Sequence, residues 1–380
     1  MQLQACNVTI SAKSARSPEN GWDDETSAGR SGLNQKTDME KLKLIQCGVG
    51  GFGKSWLIDV TASSPDFELA AIVDVAEANL ASGGDIAKLP AERCFRTLEE
   101  ALEKVEADAV LTVTPPVVHV QHARLAFARG LHLMTEKPIA GTVEDAREMV
   151  KLAQAANRRL FVSQNYRYNA PYVHARQLLA EGSIGEFGGG SIAFYIPGDF
   201  RGSFRETMEF PLLVDMCIHH VDLIRFITRQ NIRNVTALSF NPPGSTFKHD
   251  AGLKMLLQLD SGIPFSYDGD WSATGRVTPW SGNWRLQGSE GSLHLENDKL
   301  IRARSEFWGK NATEEALESP ALEFSARAAT LHEFASAIRT GAPSELDGAY
   351  NLWSFGAVVA GVESCRSGQP VDVAGLIGQA

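Results

Sequence analysis

Two stretches of this chain hold residue types that do chemistry. The first is Gly48-Val49-Gly50-Gly51-Phe52-Gly53-Lys54-Ser55. It fits G-x-G-x-x-G, a turn in which the first glycine makes the tight bend. The second glycine lets a pyrophosphate approach the backbone, and the third lets strand and helix pack closely. The same residues also fit G-x-x-x-x-G-K-S, the phosphate loop of nucleotide hydrolases. The downstream residues separate the two. A dinucleotide fold places an acid about 20 residues on, at the end of the second strand, for the ribose hydroxyls. Asp74 closes Leu69-Ala70-Ala71-Ile72-Val73 in that position. A hydrolase needs a later apolar strand ending in a magnesium-binding aspartate, and here the later strands run into Thr114 and Thr135. The dinucleotide reading is favoured. A carboxylate at position 74 repels a 2′-phosphate, and Val75-Ala76 supplies no arginine to bind one, so NAD is favoured over NADP.

The second stretch is Asp215-Met216-Cys217-Ile218-His219-His220-Val221-Asp222. On a helix, Asp215, His219 and Asp222 fall at i, i+4 and i+7 and share one face. Their neighbours are so apolar (Leu212, Leu213, Val214, Leu223, Ile224, Phe226, Ile227) that the helix is expected to be buried, and buried charges need partners. A satisfied structural pair and a proton-handling site both fit. Upstream, Thr135-Glu136-Lys137-Pro138 directly follows an apolar strand. That places Lys137 at the carboxyl edge of a sheet, where α/β folds bind ligands.

The elements that must position these residues alternate at first. Strands are expected over 42–47, 67–74, 110–113, 131–134 and 160–163, with helices over 53–61, 98–105 and 117–129. A further helix is opened by Thr142-x-x-Asp145, which has capping-box spacing. Alternation of this kind means parallel β-α-β units in a doubly wound sheet. Past Gln164 the rhythm changes. Helices are expected over 173–179 and 213–227 and a strand over 188–195. Strands without intervening helices come next, over 234–240, 253–259, 265–271, 283–286 and 292–296. Such consecutive strands pair antiparallel. Helices over 326–339 and 349–364 close the chain. The fold class is therefore α/β, with a Rossmann domain over 41–163 and an α+β C-terminal domain over 164–380 built on an open, mainly antiparallel sheet. Residues 1–40 are polar and Ser/Asn/Gly-rich, with a second methionine at Met39, and are expected to form a disordered tail.

Composition excludes several classes. The 380 residues carry 36 Lys+Arg against 46 Asp+Glu, a net charge of −10 that argues against nonspecific binding to nucleic acid or acidic membranes. Five scattered cysteines without Cys-x-x-Cys make neither a disulfide framework nor a zinc site. No metal site is expected. No apolar run approaches a membrane span and no signal pattern opens the chain, so the cytoplasm is the expected compartment.

The ordered set of motifs resembles the glucose-fructose oxidoreductase / inositol dehydrogenase / MocA-like family. That family pattern is G-x-G-x-x-G, then T-P-x-x-H, E-K-P and D-x-G-x-H-x-x-D. Here they stand as Gly48 to Gly53, Thr114-Pro115-Pro116-Val117-Val118-His119, Glu136-Lys137-Pro138 and Asp215 to Asp222. The resemblance covers about residues 42–370. Cys217 replaces the usual glycine, a change expected to touch packing and not chemistry. The resemblance implies an NAD site formed by Gly48, Gly50, Gly51, Phe52, Gly53, Asp74, Thr114, Pro115, His119, Glu136 and Lys137. It also implies that Lys137 transfers a proton or stands as a cation beside the reacting oxygen, that His219 relays the proton, and that Asp215 orients substrate. It places Asn165, Tyr166 and Arg167 beside the substrate. A homodimer or homotetramer through the C-terminal sheet is a further implication.

These readings converge on an NAD-dependent oxidoreductase acting on a secondary alcohol or carbonyl of a sugar, cyclitol or sugar derivative. Hydride transfer leaves a hydroxyl proton that must go somewhere, and a lysine in a dry or cationic setting suits that task. Arg201 and Arg205 are candidates for an anionic group. Trp271, Trp280 and Trp284 fit sheet packing better than stacking on a sugar. Three alternatives stay open: a glycosidase that uses bound NAD transiently, a non-catalytic NAD-sensing protein, and a P-loop nucleotide hydrolase.

Overall fold

The computed structural model describes residues 40–378, so the tail expected over 1–40 lies outside them except for its last residue. Strands and helices alternate from β1 (Leu42–Cys47) and α1 (Gly51–Trp56) through β2 (Phe67–Val73), α2 (Glu77–Ala87), β3 (Cys94–Phe95) and α3 (Leu98–Lys104). They continue through β4 (Ala109–Thr112), α4 (His119–Ala128), β5 (His132–Thr135), α5 (Val143–Ala156) and β6 (Leu160–Val162). The six strands are parallel in the order β3-β2-β1-β4-β5-β6. That is the doubly wound dinucleotide order, whose ligand crevice opens where the direction of winding reverses, between β1 and β4. Local sequence explains α5: the Thr142 hydroxyl accepts the Asp145 amide at 3.1 Å, and Val143, Ala146, Met149, Val150 and Ala153 face the core.

The remaining elements are α6 (Ala170–Ala180), β7 (Phe187–Tyr195), α7 (Cys217–Thr228), β8 (Ile232–Phe240), β9 (Gly252–Leu259) and β10 (Pro264–Asp270). After them come β11 (Asn283–Gly288), β12 (Ser292–Glu296), β13 (Lys299–Arg304), β14 (Thr313–Leu317), α8 (Ala326–Thr340), α9 (Gly348–Ser367), β15 (Val371–Asp372) and α10 (Val373–Ile377). They build a nine-stranded sheet ordered β14-β13-β12-β11-β7-β10-β9-β8-β15. It is antiparallel except for β7 beside β10. The expectation that consecutive strands all pair therefore fails once. β7 stands between β10 and β11, and the long 271–282 connection crosses over it.

Helices α7 and α9 pack together on one side, with α9 against β8. Helix α8 takes another course. Its Leu331, Phe334 and Ala335 join Leu44, Trp56, Phe67, Leu111 and Phe161 in one apolar cluster on the parallel sheet, while α3, α4 and α5 cover that sheet's other face. Among the described residues no helix is long and apolar enough to cross a membrane.

Candidate active site

The glycine loop is the tightest packed turn between β1 and α1. Gly48 has φ +85°, and a Cβ there would lie 2.3 Å from the Val113 carbonyl oxygen; at Gly53 a Cβ would lie 2.1 Å from the Gly48 oxygen. Only hydrogen fits at either position. Buried Gln46 pins the loop from below, donating to the carbonyls of Gly48 (3.1 Å) and Gly53 (2.8 Å), while the Thr61 hydroxyl donates to its other end at 2.7 Å. Asp74 closes the loop from the side. Its Oδ2 accepts the Val49 and Gly50 amides at 2.9 and 3.2 Å, and its Oδ1 accepts Ala76 N and Asn79 Nδ2 at 2.9 and 3.0 Å. Burial pushes this carboxyl up, but the four hydrogen bonds outweigh burial and hold it below its usual range. The loop thus carries an ionised acid at its side, just past β2.

An arginine does reach this corner, contrary to the expectation from sequence. Arg96, just past β3, donates to the Val75 carbonyl at 3.0 Å. Sequence proximity to Val75-Ala76 could not reveal it, because the adjacency is made by the β2–β3 pairing.

The phosphate-loop alternative has no geometric support. Ser55 Oγ donates to Asp59 at 2.8 Å and accepts from Arg327 at 3.0 Å, and Lys54 Nζ donates to Ser82 at 3.0 Å. The lysine and serine of that motif are thus spent away from a phosphate. The strand order is also that of a dinucleotide fold.

Lys137 follows β5 and reaches α7's leading turn. Its Nζ donates to both the Asp215 carboxylate (Oδ1) and the Asp215 backbone carbonyl, each at 2.8 Å, with both side chains largely buried. The carbonyl is available because residues Leu212–Met216 form a π-turn ahead of α7, where the Cys217 amide bonds back to Leu212. Such turns free carbonyls that an α-helix would consume. Asp215 has a second cation: Arg205 Nε donates to its Oδ2 at 2.5 Å. Burial raises the Asp215 carboxyl, yet Lys137 and Arg205 together outweigh burial and the net shift is downward.

Every side chain from Cys217 to Ile227 is buried, so the polar ones must be satisfied. Asp222 takes Arg167 in a bidentate pair at 2.5 and 2.6 Å and the Ser354 hydroxyl at 2.9 Å. Arg225 donates to Asn231 and Ser354. His220 lies 3.0 Å from both the Tyr267 hydroxyl and the Trp280 carbonyl. His219 differs. Its ring stacks on Tyr166 with centroids 4.2 Å apart and planes 11° from parallel, and its buried Nδ1 has no partner among the described residues. Burial, reinforced by Lys137 and His220, holds this imidazole well below the usual histidine range, so it is neutral. Burial and the acids Asp215 and Asp298 push Tyr166 up to about 12, so its hydroxyl is also neutral.

Several expected site residues turn out to be spent inside the protein. Arg167 is 2% exposed and committed to Asp222 and Glu345, so it braces α7 and is not open to substrate. Glu136 is buried, with one oxygen on the Trp56 indole and the other on the Lys137 amide, both carboxylate oxygens being used before any cofactor contact. His119 is fully buried, 3.1 Å from the Ile139 oxygen and 3.0 Å from the Thr114 oxygen. Burial keeps it neutral, so one of the two contacts is a hydrogen bond and the other only a close polar approach. It ties the Thr114 loop to the Glu136–Pro138 loop. Asp222, expected on the face of Asp215 and His219, is engaged by Arg167 and Ser354. Cys217 is buried and burial raises its thiol, so it is inert packing. Trp271 and Trp284 are buried and Trp280 is half-exposed. Pro115 is exposed, Thr114 and Asn165 are half-buried, and the Thr114 hydroxyl lies 2.8 Å from that of Thr112. Arg205, a sequence candidate for an anionic group, is paired with Asp215, a contact that only the fold reveals by bringing its loop back over that residue; Arg201 is paired with Asp199 instead. Among the described residues no cluster of His, Cys, Asp and Glu could hold a metal ion.

The glycine cradle, with no room for a Cβ and the Asp74 carboxylate at its rim, fits a dinucleotide. Comparison with known proteins agrees. A family model described as an oxidoreductase family with an NAD-binding Rossmann fold matches residues 42–164, and one for the GFO/IDH/MocA C-terminal domain matches residues 172–294. The chain is 25% identical to D-apiose dehydrogenase of Paraburkholderia graminis, over 90% of this chain and 93% of that one. It is 26% identical to 1,5-anhydro-D-fructose reductase of Ensifer adhaerens, over 73% and 83%. Among solved structures, an Agrobacterium radiobacter oxidoreductase in complex with NAD+, L-tartaric acid and magnesium superposes with a TM-score of 0.78 at 23% identity, covering 88% of this chain and 99% of that one.

Proposed function

Since the chain belongs to the GFO/IDH/MocA family and is an NAD-binding oxidoreductase, we propose that it moves a hydride between nicotinamide and a secondary alcohol or carbonyl of a sugar, cyclitol or sugar derivative. One observation carries this reading. On a buried helix whose other polar side chains are satisfied, the neutral His219 is left without a hydrogen bond, and it belongs to the helix that anchors Lys137 through Asp215. Relatives named as a reductase and as a dehydrogenase of sugar-like compounds support the substrate class.

NAD, when bound, supplies the hydride acceptor or donor. In our reading Gly48, Gly50, Gly51, Phe52 and Gly53 hold its pyrophosphate, Asp74 its ribose, and Thr114 and Pro115 line the approach to nicotinamide. Lys137 Nζ hands one of its protons on to His219 and takes the hydroxyl proton of the substrate in its place, or runs the exchange in reverse. Asp215 fixes that ammonium from two sides, and neutral His219 receives the proton onward. Asn165 and Tyr166 hold substrate hydroxyls. We place the enzyme in the cytoplasm as a homodimer or homotetramer through the C-terminal sheet, where Leu238 and Leu256 are exposed on neighbouring strands. A screen of sugars and inositols with NAD, read as NADH absorbance on the purified chain, tests the reaction. Tight, non-exchanging NAD with no net NADH from any alcohol would refute it.

A further inference from the structure

We propose that Arg205 anchors a carboxylate on the substrate, so that the enzyme acts on acidic sugars or polyols, such as uronic or aldonic acids, in preference to neutral ones. The inference rests on the dehydrogenase reading above and adds the charge of its substrate. Three observations carry it.

First, Arg205 has donors left over. A guanidinium presents five N–H groups. Arg205 uses its Nε on Asp215, and its two terminal nitrogens make no hydrogen bond among the described residues, while the side chain is 31% exposed. Other arginines of this region are spent: Arg201 is paired with Asp199, and Arg167 with Asp222 and Glu345. A terminal edge of this kind matches the two oxygens of a carboxylate.

Second, the guanidinium is held in place. Asp215 fixes it at one end, and the rings of Phe200 and Phe204 lie 5.4 and 4.5 Å from its centre. Little side-chain freedom remains to be lost on binding.

Third, the acids near the site are already engaged. Asp215 has one oxygen on Lys137 and the other on Arg205 Nε, and Glu136, beside Lys137, has its oxygens on the Trp56 indole and the Lys137 amide. Asp298, the other acid acting on Tyr166, is exposed and bonded by Ser281. None of them meets the terminal nitrogens of Arg205, an edge that a carboxylate fills with two charge-assisted hydrogen bonds and a neutral sugar does not.

The experiment uses the full chain with NADH bound and reads the binding of matched probes by cofactor fluorescence: D-glucuronate against D-glucose, and D-gluconate against D-glucitol. The acids are expected to bind about tenfold or more tighter than their neutral partners, the usual worth of a charge-assisted hydrogen bond. Arg205→Gln should abolish that preference and Arg205→Lys should keep part of it, with NADH affinity and melting temperature showing that both variants fold. Acids that bind no better than their neutral partners, or a preference that survives Arg205→Gln, overturn the proposal. Turnover of the same probes with NAD is a separate readout. If no NADH forms from any of them or from other alcohols, the dehydrogenase reading falls, while the binding preference still decides the role of Arg205.

Discussion

Replacing Lys137 by alanine removes an ammonium with two partners, the Asp215 carboxylate and the Asp215 carbonyl. Asp215 keeps Arg205 at 2.5 Å, so its charge is not stranded. The cost to folding is then that of hydrogen bonds to a charged group, about 1.5–3 kcal/mol, and not the roughly 3–5 kcal/mol of an orphaned buried ion. The cost to turnover is larger. Loss of a general acid–base group slows a reaction by about 10²–10⁴, or about 2.7–5.5 kcal/mol of barrier. NADH binding, followed by fluorescence, should stay within a few-fold because no glycine-loop contact is touched. Lys137→Arg separates charge from proton transfer. It restores a cation for Asp215 and hence the melting temperature, but arginine does not release its proton, so turnover stays low. Recovered turnover in the arginine variant would show that Lys137 acts only as a fixed charge. Full activity in the alanine variant would remove it from the mechanism.

His219→Ala should also lower turnover by about 10²–10⁴, and the Lys137/His219 double variant should be little slower than either single one, since groups acting as a unit are non-additive; additive losses in steady-state rates would separate their roles. His220→Ala should spare turnover per folded molecule yet lower the melting temperature, because it orphans the Tyr267 hydroxyl and the Trp280 carbonyl; an unchanged melting curve contradicts this. Asp74→Ser should narrow the NAD/NADP affinity ratio by about tenfold or more, about 1.4 kcal/mol, since Arg96 stands ready for a 2′-phosphate. Adding Arg96→Ala should undo the gain in NADP affinity, and titrations showing no change in the ratio would refute the pairing. Burial depresses His122 and His220 to about 4, and lowers His119 and His219 as well. Their unfolded forms titrate near 6.5, so between the folded and unfolded values the unfolded chain binds more protons. The stability these groups contribute is complete above about pH 6.5 and is lost as pH falls towards about 4, by about 1.4 kcal/mol per pH unit for each fully buried group. A melting temperature that stays flat from about pH 7 to about pH 5 would count against their burial.

What could be read in advance was local. The glycine loop and Asp74 are legible because a tight turn and a strand-end acid are written in neighbouring residues. Helix α5 is legible because Thr142 and Asp145 cap it. Helix α2 escaped because Gly83 and Gly84 sit in its interior, where Ile72 and Val49 press on Gly83 and Cys94 presses on Gly84. β14 escaped because Thr313, Glu314, Glu315 and Ala316 are exposed and show no alternating apolar face. The site residues divide the same way. Arg167 and Glu136 look like ligand groups in a motif, and only the fold shows that Asp222 and Trp56 already occupy them. Arg205 and Arg96 carry no motif at all. Each gains meaning from a neighbour that chain reversal brings, Asp215 for one and Val75 for the other.

Helix α8 has a consequence for synthesis on the ribosome. The parallel sheet leaves the tunnel first, but on that side Leu44, Leu111 and Phe161 have only Trp56 and Val60 over them until Leu331 and Phe334 emerge. Phe161 and Phe334 lie 173 positions apart, so at about 5–20 residues per second the nascent face stays incompletely covered for about 9–35 seconds. During that interval the dinucleotide half is a natural client for a holding chaperone, and a stalled or nonsense-truncated chain that stops short of α8 would release an open, adhesive sheet into the cell.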